Sequence, residues 1–206
     1  MTKYRWGRIR VKALVVIDYT NDFVANDGKL TCGAVGQSIE KRMAEITREF
    51  IQNGEFVVLA VDVHEEGDPY HPETNLFPPH NIRGTKGREL YGDLGCLLEG
   101  LNESERSKVY WMDKTRYSAF AGTDLELKLR ERNVSELHLI GVCTDICVLH
   151  TAVDAYNKGF KLFIHEDAVQ SFNPIGHEWA LQHFQTALGA TILLNNSPKL
   201  QSFNDA

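Results

Sequence analysis

The amino-acid sequence predicts an α/β fold, a doubly wound, mostly parallel six-stranded sheet with helices on both faces. Three observations carry this. Short apolar runs recur without the apolar–polar alternation of a half-exposed strand, so each strand should be covered on both faces. Segments with helical spacing separate these runs, and parallel neighbours need such crossovers. Several of the segments stop at a glycine, as at Asn53-Gly54, Lys158-Gly159 and Gly189, where the chain can take the left-handed conformation that ends a helix.

The elements follow in order. Residues 13–17 form a short buried-strand candidate. Residues 38–52 carry Ile39, Met43, Ile46 and Phe50 on one helical face. Residues 56–61 and 109–111 are the second and third strands, and 125–132 is a helix charged on its outer side. Residues 137–140 are the fourth strand, followed by a helix over 145–157. Residues 160–164 are the fifth strand, 176–188 a helix and 191–193 the sixth strand. One segment breaks this rhythm. Between His64 and Gly95 lie Pro69, Pro72, Pro78 and Pro79 together with His71 and His80. A loop that long inside a compact domain is usually functional.

The chain has 206 residues, 43% hydrophobic and 24% charged, which suits one domain with a sizeable core. The domain is expected over residues 13–195, with an N-terminal extension over 1–12 and a polar C-terminal tail over 196–206. A formal charge of −6 leaves no basic field for nucleic acid or anionic membranes. The basic cluster of Lys3, Arg5, Arg8, Arg10 and Lys12 lacks the apolar core of an export signal. No apolar run approaches the roughly 20 residues needed to span a bilayer. A cytoplasmic location is expected, and four cysteines there do not suggest a disulfide scaffold.

The densest chemistry lies in Gly-Val-Cys-Thr-Asp-Ile-Cys-Val-Leu, residues 141–149. An apolar strand enters a glycine, and Cys147 falls in the first turn of the following helix. Unpaired N–H groups and the helix dipole at that position are expected to lower the thiol pKa and favour the nucleophilic thiolate. Asp18 ends the first strand, and Lys114 directly follows the third. Three strand ends thus bring a carboxylate, an ammonium and a thiol to one sheet edge, where open α/β sheets keep their ligands. Asp62 and His64 follow the second strand, on one side of an extended segment. Glu73 and His80 lie in the loop beyond, with His71 as a spare imidazole. Two imidazoles and a carboxylate can hold a divalent first-row metal and leave positions open. Phe23, Phe77 and Tyr117 each follow closely on one of these groups and offer flat apolar walls to a planar ring.

On these motifs the chain resembles the nicotinamidases (pyrazinamidases) of the isochorismatase-like cysteine hydrolase superfamily. The matching pieces are Ile-Asp-Tyr-Thr-Asn-Asp-Phe (17–23), Val-Asp-Val-His (61–64), His-Pro-Glu-Thr (71–74), Leu-Phe-Pro-Pro-His (76–80), Met-Asp-Lys-Thr-Arg-Tyr-Ser-Ala-Phe (112–120) and Gly-Val-Cys-Thr-Asp-Ile-Cys-Val (141–148). The resemblance implies a catalytic triad of Asp18, Lys114 and Cys147. It implies metal ligation by Asp62, His64, Glu73 and His80, and a ring clamp of Phe23, Phe77 and Tyr117. It also implies a cis peptide before Cys143 and an oxyanion hole made by the backbone N–H groups of Cys143 and Cys147. The implied reaction is hydrolysis of nicotinamide to nicotinate and ammonia, with pyrazinamide also accepted, in NAD salvage. The implied cofactor is one divalent ion, zinc first, with iron and manganese as alternatives, and a homo-oligomer is expected. The Cys143 side chain is read as packing, although oxidation could link it to Cys147. Cys32 and Cys96 receive no role, and His138, His150, His165, His177 and His183 are read as structural.

Overall fold

The computed structural model describes residues 11–194, so most of the expected extension and the tail lie outside the described residues. Its strands are β1 (Val11–Ile17), β2 (Phe56–Asp62), β3 (Val109–Lys114), β4 (Val134–Val142), β5 (Lys161–Gln170) and β6 (Thr191–Leu193). They form one sheet in the order β3-β2-β1-β4-β5-β6, and every pairing is parallel. Five strands run past their apolar runs. Backbone pairing continues through residues whose side chains are polar, so β2 ends on Asp62 and β3 on Lys114, directly paired in register.

The helices are α1 (Asn21–Val24), α2 (Ala34–Ser38), α3 (Glu40–Gln52), α4 (Gly92–Glu99), α5 (Glu103–Arg106), α6 (Leu125–Glu131), α7 (Leu149–Asn157) and α8 (Pro174–Thr186). The helix expected over 38–52 therefore begins at Glu40, with the short α2 before it. The one expected over 145–157 opens as a π-helical turn, Thr144–Val148, and continues as α7. Two 3₁₀ turns, Pro72–Asn75 and Lys86–Arg88, punctuate the long loop. Neither α4 nor α5 was expected. Gly92 and Gly95 depress helix propensity in α4, but the complete burial of Leu94 packs it against α3. A capping box of Asn102 and Glu105 starts α5.

Alternate residues of β1 point to opposite faces, and both faces are covered. Ala13, Val15 and Ile17 pack with Leu125, Leu129, Val148 and Phe184 on the α6–α8 side. Leu14 and Val16 pack with Met43, Ile46 and Phe50 on the α3 side. Each of the larger of these side chains, the Val, Leu, Ile, Met and Phe, stabilises the fold by about 1.5–3 kcal/mol. Among the described residues no helix is long and apolar enough to cross a membrane. From β1 the chain winds outward to β3, then returns to the middle and winds the other way from β4. The crevice between the carboxyl ends of β1 and β4 is therefore the topological switch point, the usual place for a ligand in such sheets.

Candidate active site

The three strand ends converge there. Asp18 follows β1 with a positive φ of 55°, and its Oδ1 accepts the N–H of Asp62 at 2.8 Å. Lys114 Nζ lies 2.7 Å from Asp18 Oδ2 and 3.7 Å from Asp62 Oδ1. It also donates to Cys147 Sγ at 3.7 Å. One ammonium thus joins the thiol, its neighbouring carboxylate and the first residue of the metal motif. Gly141 makes the convergence possible. Its φ is +129°, and a Cβ there would meet Ile17 O at 2.0 Å, so only glycine lets β4 carry the turn so close to β1. The Val142–Cys143 peptide is cis. The Cys143 carbonyl accepts from Ile146 N and Val148 N. Thr144 Oγ1 meets His177 Nδ1 at 2.8 Å, and Asp145 accepts from Ser171 Oγ and Asn173 Nδ2. These bonds pin the π-helical turn to α8 and to the loop before it.

The electrostatics differ from the expectation for Cys147. Burial pushes its thiol well above the ordinary range; Lys114 opposes this, while Asp18 and Asp62 add to it. Desolvation and two carboxylates outweigh the helix terminus, so the thiol holds its proton at rest. Burial also raises Asp18, against the pull of Lys114, which makes it the stronger base. Burial alone would lower Lys114, but the carboxylates of Asp18 and Asp62 overcome it and hold the ammonium protonated.

Asp62, His64, Glu73 and His80 are all buried, and one ligand atom from each lies within 4.8 Å of the others. His80 Nδ1 donates to Pro78 O at 2.9 Å. That fixes the tautomer and turns the bare Nε2 lone pair inward, 3.5 Å from Asp62 Oδ2 and 3.7 Å from Glu73 Oε2. His80 Nε2 and Asp62 Oδ1 are buried with no hydrogen-bond partner. Buried unpaired polar atoms cost about 1–3 kcal/mol each, a cost that coordination of a cation offsets. Two nitrogens and two carboxylates suit a divalent first-row ion, so the residues fit such a group. His71 stands outside the set. Its Nδ1 accepts from Glu73 N and caps the turn carrying Glu73, and its ring lies 4.0 Å from that of His64.

Phe23, Phe77 and Tyr117 line one pocket with Cys143, Cys147 and Glu73. Phe23 and Phe77 meet His80 edge-on at 5.4 and 6.3 Å. The reading of the sequence missed Leu30, Ile146 and Phe172 on the same walls; scattered apolar residues carry no local signal. It also passed over Asp22, whose carboxylate accepts Asn81 N at 2.7 Å, while the Asn81 carbonyl accepts His64 N. Asp22 so anchors the far end of the metal loop, which pairs back onto His64 through the Asn81 carbonyl. Its only trace in the sequence is a position four residues after Asp18.

The isochorismatase domain model matches residues 12–196. A Bacillus subtilis (strain 168) protein described as "uncharacterized isochorismatase family protein PncA" is 66% identical over 88% of this chain and 98% of its own length. The crystal structure of nicotinamidase/pyrazinamidase PncA from Bacillus subtilis superposes with a TM-score of 0.86 at 62% identity, covering 88% of this chain and 98% of that one. The pyrazinamidase of Pyrococcus horikoshii in complex with zinc superposes with a TM-score of 0.76 at 30% identity, covering 89% and 98%. With these likenesses and an all-parallel sheet carrying its polar cluster at the switch point, the chain belongs to the isochorismatase domain family, and its near relatives include nicotinamidases.

Proposed function

We propose that the chain is a nicotinamidase that hydrolyses nicotinamide to nicotinate and ammonia through a thioester on Cys147, and that it also accepts pyrazinamide. The observation that carries the reading is the position of Lys114 Nζ, within 3.7 Å of Cys147, Asp18 and Asp62. It makes one site of a nucleophile, a base and a cluster suited to a metal.

Asp62, His64, Glu73 and His80 would hold a divalent ion. The zinc complex of the Pyrococcus horikoshii relative favours zinc, with iron and manganese as alternatives. When bound, the ion supplies a Lewis acid that anchors the pyridine nitrogen and draws electron density from the ring. Phe23, Phe77 and Tyr117 pack against the ring and exclude water. Asp18 takes the proton from Cys147 Sγ while Lys114 stabilises the thiolate. The raised carboxyl pKa narrows the gap to the raised thiol. The thiolate attacks the carboxamide carbon. The N–H groups of Cys143 and Cys147 hold the developing oxyanion, each worth about 3–4 kcal/mol by analogy with measured oxyanion donors. Asp18 returns its proton to the departing ammonia, then activates the water that cleaves the thioester. Nicotinate released in this way would enter NAD salvage in the cytoplasm, and the working form is expected to be a homo-oligomer.

The test is ammonia release from nicotinamide by purified protein, before and after chelation with metal added back. Release that falls on chelation and returns with metal supports substrate and site together. Release indifferent to metal removes the ring-anchoring role of the cluster. No release from folded, metal-loaded protein refutes the substrate and turns attention to other amides.

A further inference from the structure

Beside the active-site pocket lies a pair of thiols, Cys32 and Cys143, that catalysis leaves unused. Cys32 lies in the loop between α1 and α2, 111 residues from Cys143, yet the two Sγ atoms are 3.4 Å apart. Both are buried and free. A disulfide needs about 2.05 Å between sulfurs, so the pair must close by only about 1.4 Å. The surroundings are built to hold it. Cys32 N donates to Phe23 O at 2.8 Å. A Cβ on Gly36 would lie 2.9 Å from Cys32 Cβ, so the glycine leaves room for the side chain. Cys143 lines the pocket beside Cys147, which gives a small solute a path from the substrate side.

We propose that Cys32 and Cys143 form an oxidative modification site, a dithiol that a hydroperoxide entering the pocket converts to a reversible disulfide. Geometry sets the order of events: Cys143, not Cys32, lines the pocket, so the peroxide meets Cys143 first. Cys143 Sγ attacks one peroxide oxygen, the O–O bond breaks, the thiol proton passes to the departing oxygen, and water leaves behind a sulfenic acid on Cys143. Cys32 Sγ, 3.4 Å away, then attacks Cys143 Sγ. The proton of Cys32 passes to the expelled hydroxide, which leaves as a second water. The shared hydrogen bond holds Cys32 below the ordinary thiol range, which favours it in this second step. In sum, two thiols give two electrons to one peroxide, yielding one disulfide and two waters. The bridge would draw Cys143 toward the loop between α1 and α2. Resting on the nicotinamidase reading, in which the Cys143 amide serves the oxyanion, a displacement near 1 Å is expected to lower turnover by about 100-fold.

The experiment exposes wild type and Cys147→Ala to hydrogen peroxide, blocks remaining thiols, and maps peptides from a non-reducing digest. The expected result is a Cys32–Cys143 linked peptide in both, lost on dithiothreitol and absent in Cys32→Ala. In wild type, nicotinamide turnover should fall as that peptide forms and return on reduction. A link from Cys143 to Cys147, or no link at all, overturns the site. Linkage at full activity overturns its effect on catalysis. Because mapping needs no turnover, a chain inactive on nicotinamide that still forms the link sinks only the proposed activity.

Discussion

Replacing Gly141 with alanine probes the approach of β4 to β1 that assembles the site. The new Cβ would lie 2.0 Å from Ile17 O and 2.8 Å from Ile17 C and N, whereas ordinary contact begins at 3.4 Å. The strands would have to part by about 1.4 Å, or residue 141 would have to leave its φ of +129°. Both obstructing groups are backbone in a central ladder, where Ile17 pairs with Gly141, so neither can swing aside. A side chain held in such a conformation costs about 1–3 kcal/mol, and forced overpacking about 1–3 more. The combined loss of about 2–6 kcal/mol is a large part of a typical total stability of about 5–15. Asp18 directly follows Ile17, and Cys143 lies two residues past Gly141, so a shift near 1 Å should also cost about 100-fold in kcat. Urea denaturation and ammonia release at saturating nicotinamide read the two effects. Gly159→Ala is the control, because Gly159 also has a positive φ, but a Cβ there meets nothing within 4 Å. It should cost about 1–2 kcal/mol and leave kcat unchanged. A Gly141→Ala variant matching that control in stability and turnover would refute the close-approach argument.

Cys147→Ala should abolish turnover while metal content, read by elemental analysis, stays normal; residual wild-type turnover would rule out covalent catalysis by this thiol. Lys114→Met should leave the Asp18 and Asp62 carboxylates buried without their cation and destabilise the fold by about 3–5 kcal/mol, read by urea denaturation; unchanged stability would mean the carboxylates do not depend on it. His64→Ala should lose bound metal and raise KM strongly, and full metal occupancy in that variant would remove His64 from the ligand set. The buried pair His138 and His165, 2.9 Å apart, should make stability fall in acid. Burial, assisted for His138 by its partner's charge, lowers their folded pKa values to about 3 and about 4 from 6.5. Folded histidines therefore stay neutral while unfolded ones protonate. Their contribution is full above about pH 6.5 and is lost as pH falls toward 4, with a slope of about 2 kcal/mol per pH unit near pH 5. His165→Asn should flatten that slope in denaturation curves taken from pH 7 to 4.5, and an unchanged slope would show that the pair is not its source.

Much of this protein could be read along the chain, because the informative patterns are local. Continuous apolar runs announced six strands, although the edge strands β3 and β6 stay part-exposed where burial on both faces was expected, and period and glycine stops announced the helices between them. The polar residues directly after those runs, Asp18, Asp62 and Lys114, were legible as the carboxyl edge, and Cys147 as a thiol in the turn beyond a strand. Side-chain burial decided what local propensity could not. It made a helix of Gly92–Glu99 despite its glycines, and backbone pairing carried β3 on to Lys114 past the end of its apolar run.

The state of the thiol and the company it keeps came only from the tertiary structure. A helix terminus argues for a lowered pKa at Cys147, but desolvation and the neighbouring carboxylates reverse the sign. The meeting of Cys32 with Cys143, of His138 with His165 and of Asp22 with Asn81 leaves no mark in spacing or composition. Periodicity and turn chemistry act over a few residues and are written in the order of the chain. Desolvation and through-space contact depend on what the rest of the fold packs around a group, and that exists only after the strands have found their neighbours.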